Sequence, residues 1–393
     1  MPLRVAIIYN TKEDGEARES EALSANGAIN VKDLNAEFDS WDTVQRYIDF
    51  IEDLGHECVP IHGDEHLLEV LRAFESAKKP IDICWNTCEG FRGFDREAQV
   101  PAMLEMHGIP YHFPRPLGMS LTLDKAMTKR VLLYHGLPTP AFQEFFDPEA
   151  PLEPSLADKW PLFVKPNSEG TGMGVTPKSL CANEAELREQ LRFIVREYGH
   201  SALVEEFIPG REVTCGVVGN LSPEKGSGLR VLPIEELDLN KMKTDGVQRE
   251  KVKEVFGEKV TDDALFYDRG IKSISGDDFY DNFKFTCPAD LPKDVEDEIK
   301  RLTVEVFRVC VCRDAARVDF RLDTRDGKLR PMILEINAIP GMMDVSDLTI
   351  EANADGFTHK ELVQNVFAAG CERYGLDHGL KKRWEANWPP KKN

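Results

Sequence analysis

Two segments in the last third of the chain carry acidic and amide side chains that could hold a metal ion. In residues 317–323 the charged side chains occupy the odd positions and apolar side chains the even ones, and in residues 332–337 Glu335 and Asn337 alternate with apolar neighbours. This period of two puts each polar set on one face of a strand. If the strands are neighbours, Asp319 joins Glu335 and Asn337, and such oxygen ligands suit Mg²⁺ bound to phosphate. The alternative is a pair of amphipathic edge strands with solvated charges.

A second segment, residues 164–175, has the composition of a phosphate-binding loop. Lys165 precedes a stretch that contains Gly170, Gly172 and Gly174 with hydroxyl side chains between them. Glycines let backbone N–H groups approach phosphate oxygens, and a lysine adds positive charge. It is not a Walker A sequence, because no Gly-Lys-Ser/Thr follows. A plain glycine-rich hairpin is the alternative.

A third segment, residues 203–214, combines acids with a tight turn. A predicted strand ends in Glu205-Glu206, the chain turns at Pro209-Gly210, and a new strand begins at Glu212. Backbone groups of such a segment could read an adenine edge, and the carboxylates could hold ribose hydroxyls. By itself the pattern also fits a hairpin with surface acids.

The elements that must position these residues follow from periodicity and turn signals. The first part of the chain alternates strand and helix, which predicts a parallel α/β sheet. The predicted elements there are strand 3–8, helix 41–54, strand 58–61, helix 66–77 and strand 81–85. The later elements are helices over 120–135, 184–198, 292–309 and 359–373, and strands over 162–165, 202–205, 212–218, 316–323 and 331–337. Residues 239–264 are highly charged with weak periodicity, and the basic, proline-containing end of the chain is predicted to be loosely held.

Composition narrows the class of protein. The chain has 393 residues, which suggests two or three domains, and a net charge of −20, which disfavours general binding to nucleic acid. No stretch is long and apolar enough to cross a membrane, and the apolar stretch at the start is too short for a signal peptide. Nine scattered cysteines predict reduced thiols. We therefore expect a cytoplasmic protein without membrane or nucleic-acid partners.

Together and in this order, the three segments resemble the ATP-grasp superfamily, and within it the D-alanine–D-alanine ligase family. Further matches are Gly108-Ile109-Pro110-Tyr111, residues 123–129 (Leu-Asp-Lys-Ala-Met-Thr-Lys) and residues 334–342 (Leu-Glu-Ile-Asn-Ala-Ile-Pro-Gly-Met). The resemblance extends from about residue 81 to residue 370.

The resemblance implies an α/β ATP-grasp fold in which two α+β subdomains clamp ATP. The implied divisions are an N-terminal α/β domain (1–118), a central subdomain (119–210), a C-terminal subdomain with the metal site (211–375) and a basic tail (376–393). It also implies an ATP-dependent ligase, in which a carboxylate attacks the γ-phosphate and an amine then displaces phosphate from the acyl phosphate to form an amide. The implied ligands are ATP, two Mg²⁺ ions (with Mn²⁺ as a substitute) and amino-acid-like substrates, and a homodimer is a candidate assembly.

The resemblance carries over nucleotide and metal roles position by position. Lys125 and Lys165 would hold ATP phosphates, and Glu205, Ile208 and Glu212 would hold adenine and ribose. The two Mg²⁺ ions would be bound by the set named above, Asp319, Glu335 and Asn337.

Five further residues receive roles in the chemical steps. Lys272 matches a family lysine on a loop that closes over the phosphates, and residues 239–272 are expected to form this lid. Arg317 and the backbone N–H of Gly341 would stabilise the oxyanion of the tetrahedral intermediate. Thr171 and Ser346 would lie near the amino-acid substrates.

The N-terminal segment departs from the family pattern. The family pairs glycines with a glutamate that receives the ammonium of the first substrate, but here the first strand leads into Asn10-Thr11-Lys12. Glu37 and Glu89 are candidate substitutes, and we predict that D-alanine alone is a poor substrate. The alternatives to a ligase are a small-molecule kinase of the same fold and a nucleotide-binding module without turnover.

Overall fold

The computed structural model describes residues 1–13, 38–221, 228–237 and 285–389. Its strands form a three-stranded, a four-stranded and a six-stranded sheet. The strands are β1 (Arg4–Tyr9), β2 (Glu57–His62), β3 (Ile83–Asn86), β4 (Phe142–Phe145), β5 (Leu162–Pro166), β6 (Leu180–Cys181), β7 (Ala202–Glu206), β8 (Glu212–Gly219), β9 (Leu229–Val231), β10 (Glu235–Leu237), β11 (Phe285–Thr286), β12 (Asp314–Asp323) and β13 (Arg330–Asn337). The α-helices are α1 (Trp41–Glu52), α2 (Leu67–Ser76), α3 (Gln99–Met106), α4 (Pro116–Leu123), α5 (Lys125–Tyr134), α6 (Glu184–Tyr198), α7 (Lys293–Val309), α8 (Asp347–Ala354) and α9 (His359–Arg373).

The first sheet is parallel, with β1 between β2 and β3, as the alternation of strand and helix predicts. Alternate residues of β1 enter different cores: Val5 and Ile7 pack in the cluster that contains Val44 of α1, whereas Ile8 packs in the cluster that contains Leu71 of α2. A strand covered on both faces needs a continuous apolar run, which β1 supplies.

The second sheet is antiparallel, in the order β4-β7-β5-β6. Helix α6 packs against it through Leu187, Leu191 and Ile194. The N-terminus of this helix is capped by Asn183, whose side chain accepts a hydrogen bond from the Glu186 backbone N–H.

The third sheet is antiparallel in the order β11-β10-β8-β12-β13, with β9 beside β8. Helix α7 packs on one face, where Val318 and Phe320 of β12 meet Ile299 and Phe307. The alternating residues Arg317 and Asp319 therefore lie on the opposite face. That face borders the second sheet and carries the chemistry described below.

The predicted single helix over 120–135 is wrong, because the structure has α4 and α5 in its place. The break is at Asp124, whose extended backbone (ψ 95°) ends α4. The Asp124 side chain accepts a hydrogen bond from the Met127 backbone N–H at 2.8 Å and so caps α5.

The end of the chain is more firmly attached than its composition predicts. The Asn387 side chain exchanges two hydrogen bonds of 2.8 Å with the backbone of Val231, and the Trp384 ring stacks on Phe357 with centroids 4.1 Å apart. The predicted lid over 239–272 lies entirely outside the described residues. Within the described part of the chain, no helix combines the length and apolarity needed to span a membrane.

Candidate active site

A cavity of about 600 Å³ opens where the three sheets approach one another. Twelve of the thirteen site residues named from the sequence line it, and the thirteenth, Lys272, lies outside the described residues. The twelve are Lys125, Lys165, Thr171, Glu205, Ile208, Glu212, Arg317, Asp319, Glu335, Asn337, Gly341 and Ser346. The tertiary structure thus brings residues more than 200 positions apart to one site.

The candidate metal ligands lie on the paired strands β12 and β13. Asp319 is directly opposite Glu335, and Asn337 is opposite Arg317, so all four side chains share a face. The Asn337 amide donates to Asp319 Oδ2 at 2.8 Å, and the Arg317 guanidinium donates to both Asp319 oxygens at 2.9 and 3.0 Å. Two carboxylates and an amide fit Mg²⁺, provided that Asn337 turns its oxygen inward and phosphate completes the shell.

Three lysines lie beside two glutamates in the centre of the cavity. Lys165 Nζ lies 2.9 Å from Glu205 and 3.7 Å from Glu335, and Lys125 Nζ lies 3.8 Å from Glu335. Lys129, which is fully buried, contacts the other oxygen of Glu205 at 2.5 Å. The lysines outnumber the carboxylates, and the surplus positive charge favours a polyanion such as a nucleotide phosphate.

Burial and the lysines act in opposite directions on these glutamates. Burial alone would raise the pKa of Glu335, but Lys125, Lys165 and Arg317 together hold it well below its ordinary value. Burial likewise opposes ionisation of Glu205, whose pKa is nevertheless lowered by Lys129 and Lys165. Both carboxylates are therefore charged at neutral pH, as a metal ligand and a lysine-positioning group must be.

The glycine-rich loop after β5 is held at its base by Glu169. Its carboxylate bonds to Arg96 at 3.1 Å and to His200 at 2.9 Å, and its carbonyl accepts a hydrogen bond from Lys125. At Gly174, φ is 71° and an added Cβ would lie 2.5 Å from the Pro166 ring, so only glycine fits there. The loop thus turns tightly over the cavity beside Lys165, which is the arrangement a phosphate loop requires.

The opposite end of the cavity suits a flat base and a sugar. Phe163 and Phe207 lie on its wall with ring centroids 6.4 Å apart, next to the buried Ile208. Arg321 lies 4.8 Å above the Phe207 ring and 3.6 Å from Glu212. Apolar walls with one carboxylate at the rim match the requirements of adenine and ribose.

The region of Arg317 and Gly341 faces the remaining part of the cavity. Arg317 makes a second ion pair, with Asp347 at the start of α8, at 2.7 Å. Ser346 Oγ accepts a hydrogen bond from the Met343 N–H at 3.0 Å and lies beside Gly341. Fixed donors of this kind can stabilise a developing oxyanion.

Three residues at the site were missed in the sequence. Lys129 lies within the segment 123–129 noted above but was given no role. Asp347 lies one position after Ser346, and only the packing of α8 turns it toward Arg317. Asp39 lines the cavity beside Tyr47; burial raises its pKa to about 7, although Lys12 lowers it in part.

The structure locates only one of the two candidate substitutes for the family's ammonium-binding glutamate. Glu89 lines the cavity, whereas Glu37 lies outside the described residues. Asp39, two positions beyond Glu37, is the described acid nearest to it in the chain. The signal in the sequence that could have pointed to Asp39 was its position two residues after the candidate Glu37.

Fold, phosphate loop, lysines and metal-ligand strands together define an ATP-grasp enzyme. The model of the family described as "D-ala D-ala ligase C-terminus" matches residues 131–368. The chain belongs to the D-alanine–D-alanine ligase family and is an ATP-dependent ligase that forms carbon–nitrogen bonds. Membership of this family implies that the chain uses ATP together with a divalent metal ion.

Individual relatives agree over most of the chain. An uncharacterized protein, y4sG, of Sinorhizobium fredii is 31% identical over 82% of this chain and 86% of its own. A D-alanine–D-alanine ligase of Bordetella avium is 33% identical over 71% of this chain and 76% of its own. The crystal structure of the D-alanine–D-alanine ligase from Bacillus anthracis complexed with ATP has the same fold, with a TM-score of 0.64, 22% identity and coverage of 95% and 99% of the two chains.

Proposed function

We propose that the protein joins the carboxylate of one amino-acid-like molecule to the amino group of another, through an acyl phosphate made from ATP. The observation that carries this proposal is the convergence of Lys125, Lys165 and the facing pair Asp319–Glu335 at one end of the cavity, beside Arg317 and Gly341. Lysines and metal ligands serve phosphoryl transfer, and oxyanion donors serve amide formation.

In the first step, the substrate carboxylate attacks the γ-phosphorus and ADP leaves. No protein nucleophile is needed, because this transfer depends on positioning and on charge neutralisation. Lys125 and Lys165 orient the phosphates, and Phe163, Ile208 and Glu212 hold the nucleoside end. Two Mg²⁺ ions, for which Mn²⁺ could substitute, would be held by Asp319, Glu335 and Asn337 and would neutralise charge between the β- and γ-phosphates.

In the second step, the amine attacks the carbonyl carbon of the acyl phosphate. The tetrahedral intermediate places a negative oxygen between the Arg317 guanidinium and the Gly341 N–H. The intermediate collapses with cleavage of the carbon–oxygen bond to phosphate. Thr171 and Ser346, which both line the cavity, border the space for the two amino-acid-like groups.

The substrates differ from two molecules of D-alanine, in this proposal. The relatives named D-alanine–D-alanine ligase act on that amino acid, but the glycines that precede the ammonium site in the family are absent here. Asp39 and Glu89, which line the cavity, replace that contact from another part of the N-terminal domain, so the site favours a different group on the first substrate. D-alanine is then a poor substrate.

The same proposal includes the domain boundaries, the cellular location, the lid and the assembly. The division into units at residues 118 and 210 fits the placement of the three sheets, with ATP between the second and third. A cytoplasmic location fits the supply of ATP and the nine scattered cysteines. A homodimer is the candidate assembly, and the lid expected at residues 239–272 with Lys272 lies outside the described residues.

The test is phosphate release from ATP across pairs of D- and L-amino acids and dipeptides, with the products identified by mass spectrometry. One free phosphate and one new amide per ADP are expected. A phosphorylated acceptor without free phosphate would instead identify a kinase. Absence of ADP with every pair would identify a module without turnover.

A further inference from the structure

The phosphate loop after β5 (residues 167–175) is held from the side of the first sheet as well as by its own unit. Arg96 lies in a short 3₁₀ helix after β3, Arg96–Ala98. Its guanidinium donates to the Ser168 carbonyl at 2.9 Å and to Glu169 Oε2 at 3.1 Å. One planar group thus holds the backbone and a side chain of adjacent loop residues. The anchor of the loop lies more than 70 positions away in the sequence.

The ion pair between Arg96 and Glu169 is nearly closed to solvent. The two side chains are 10% and 11% exposed, and the second Glu169 oxygen lies 2.9 Å from His200 Nε2. Burial acts to raise the pKa of Glu169, but His200 and Arg96 together hold it below its ordinary value. The carboxylate is therefore charged, and because each of its oxygens has a partner, its direction is fixed.

The segment that leads to Arg96 is itself attached to the carboxyl ends of the first sheet. The Gly90 N–H donates to Asn10 Oδ1 at 3.1 Å, and the Asn10 amide donates to the Gly63 carbonyl at 3.2 Å. At Gly90, φ is 77° and an added Cβ would lie 2.6 Å from the Arg96 carbonyl oxygen, so the backbone passes this closely only with glycine. These contacts join the position of Arg96 to the ends of β1 and β2.

Glu169 in turn positions a lysine of the nucleotide site. Its carbonyl accepts a hydrogen bond from Lys125, whose ammonium lies 3.8 Å from Glu335. Two residues further along, Thr171 has a φ of 51°, a left-handed conformation that is strained for a β-branched residue. Such a conformation persists only where the surrounding contacts hold it. Release of Glu169 would therefore let the loop relax and would remove a restraint on Lys125.

We propose that Arg96 is a positioning residue for ATP binding, which holds Glu169 so that the phosphate loop and Lys125 stay in place to bind the phosphates. Arg96 is not among the residues that line the cavity, so it acts through the loop. The inference rests on the proposed function only for the place of the phosphates. Because Glu89 and Glu97, from the same segment as Arg96, do line the cavity, it adds a link between the first-substrate end and the phosphate end.

The test is calorimetry of the full-length protein with Mg²⁺ and a non-hydrolysable ATP analogue, so that binding does not depend on turnover. Arg96→Ala should bind the analogue at least about tenfold more weakly than the wild type, as expected for loss of a charge-assisted contact. Arg96→Lys keeps the charge and should recover at least about threefold of that loss. Adenosine, measured as a competitor, lacks phosphates and should bind equally to the wild type and to Arg96→Ala.

Two further variants separate this role from a general loss of stability. The matched control is Arg230→Ala, which removes another largely buried arginine–carboxylate pair, with Asp355, outside the cavity lining; its affinity for the analogue should stay unchanged. In a Glu169→Gln background, Arg96→Ala should have a smaller effect than in the wild type, because the charge that Arg96 holds is already absent. Thermal unfolding of each variant checks that it is folded.

Wild-type affinity for the analogue in folded Arg96→Ala would overturn the inference. Equal weakening of adenosine and the analogue, or the same effect of Arg96→Ala in both backgrounds, would overturn it as well. Ligase turnover of the wild type together with any of these results would leave the proposed function intact. Conversely, analogue binding that depends on Arg96, without ADP formation from any pair of substrates, would support the inference and contradict the proposed function.

Discussion

Two groups of acids, one lining the cavity and the other buried beside it, have opposite ionisation behaviour. Glu205 and Glu335 lie among three lysines, and their pKa values are lowered. Glu235 and Glu351 are more buried than Glu335, and among the described residues the cation beside them is Arg317, which also pairs with Asp319 and Asp347; their pKa values are raised. Burial acts to raise the pKa in both groups, so the neighbouring cations decide the difference.

The comparison indicates that the neighbouring cations set the charge state of each group of acids. The lysine-rich end of the cavity, at Lys125, Lys129 and Lys165, has a surplus of positive charge and can exchange its ion pairs for phosphate and metal. The raised pKa values of Glu235 and Glu351 favour their neutral, protonated forms at neutral pH, so these two residues do not add negative charge to the cavity.

The largest effect is expected at the lysine-rich end. Glu335→Gln keeps the shape of the side chain but removes a metal-binding charge, and we expect turnover to fall about 1,000-fold or more while the fold is retained. Phosphate release and circular dichroism measure the two effects. Turnover close to wild type in the folded variant would remove Glu335 from the metal site.

Loss of a buried lysine should lower stability. In Lys129→Met, Glu205 keeps Lys165 but loses its other fully buried partner, and we expect the free energy of unfolding to fall by about 3–5 kcal/mol. Urea denaturation measures it. The control is Lys178→Met, whose ion pair with Glu189 is exposed and should contribute at most about 1 kcal/mol. Equal effects of the two variants would show that burial of the Lys129 pair is irrelevant.

The buried Glu235 should make stability depend on pH in the opposite sense to a carboxylate held in an ordinary ion pair. Burial raises the pKa of Glu235 from 4.5 to about 10, so the folded state holds a proton that the unfolded state loses. This contribution is complete below pH 4.5 and is lost as the pH rises toward 10. Relative to Glu235→Gln, the wild type should lose up to about 1.4 kcal/mol per pH unit between pH 5 and 9. Parallel stability profiles for the two proteins would contradict this assignment.

The smallest effect is expected in the N-terminal domain. Because burial raises the pKa of Asp39 to about 7, its carboxylate should bind a substrate ammonium better as the pH rises through 7. Asp39→Asn should lower kcat/KM for the carboxylate-donating substrate about tenfold and remove the transition near pH 7. An unchanged pH profile in the variant would assign the ammonium contact to another residue, with Glu89 as the next candidate.

Local patterns in the sequence were enough to determine the fold class and to select most of the candidate phosphate-binding and metal-binding residues, whose roles stay predictions. Alternation along 317–323 and 332–337 placed Asp319, Glu335 and Asn337 on one face, because the side-chain period of a strand is fixed at two. The position of Lys165 ahead of a glycine-rich stretch indicated the phosphate loop for the same local reason. The order of these segments along the chain identified the family before any fold was known.

Only the tertiary structure shows that the acids Glu235, Asp347 and Glu351 lie together. Glu235 lies more than 100 positions before Asp347 and Glu351, and in the sequence each reads as an ordinary surface acid. They meet because α8 packs across β8 and β10, and Gly216 leaves room for Glu351. The same holds for the break at Asp124, where a capping hydrogen bond outweighs a continuous helical pattern. Side-chain periodicity is local, whereas the burial and charge that determine a pKa come from distant segments, and the sequence order does not contain them.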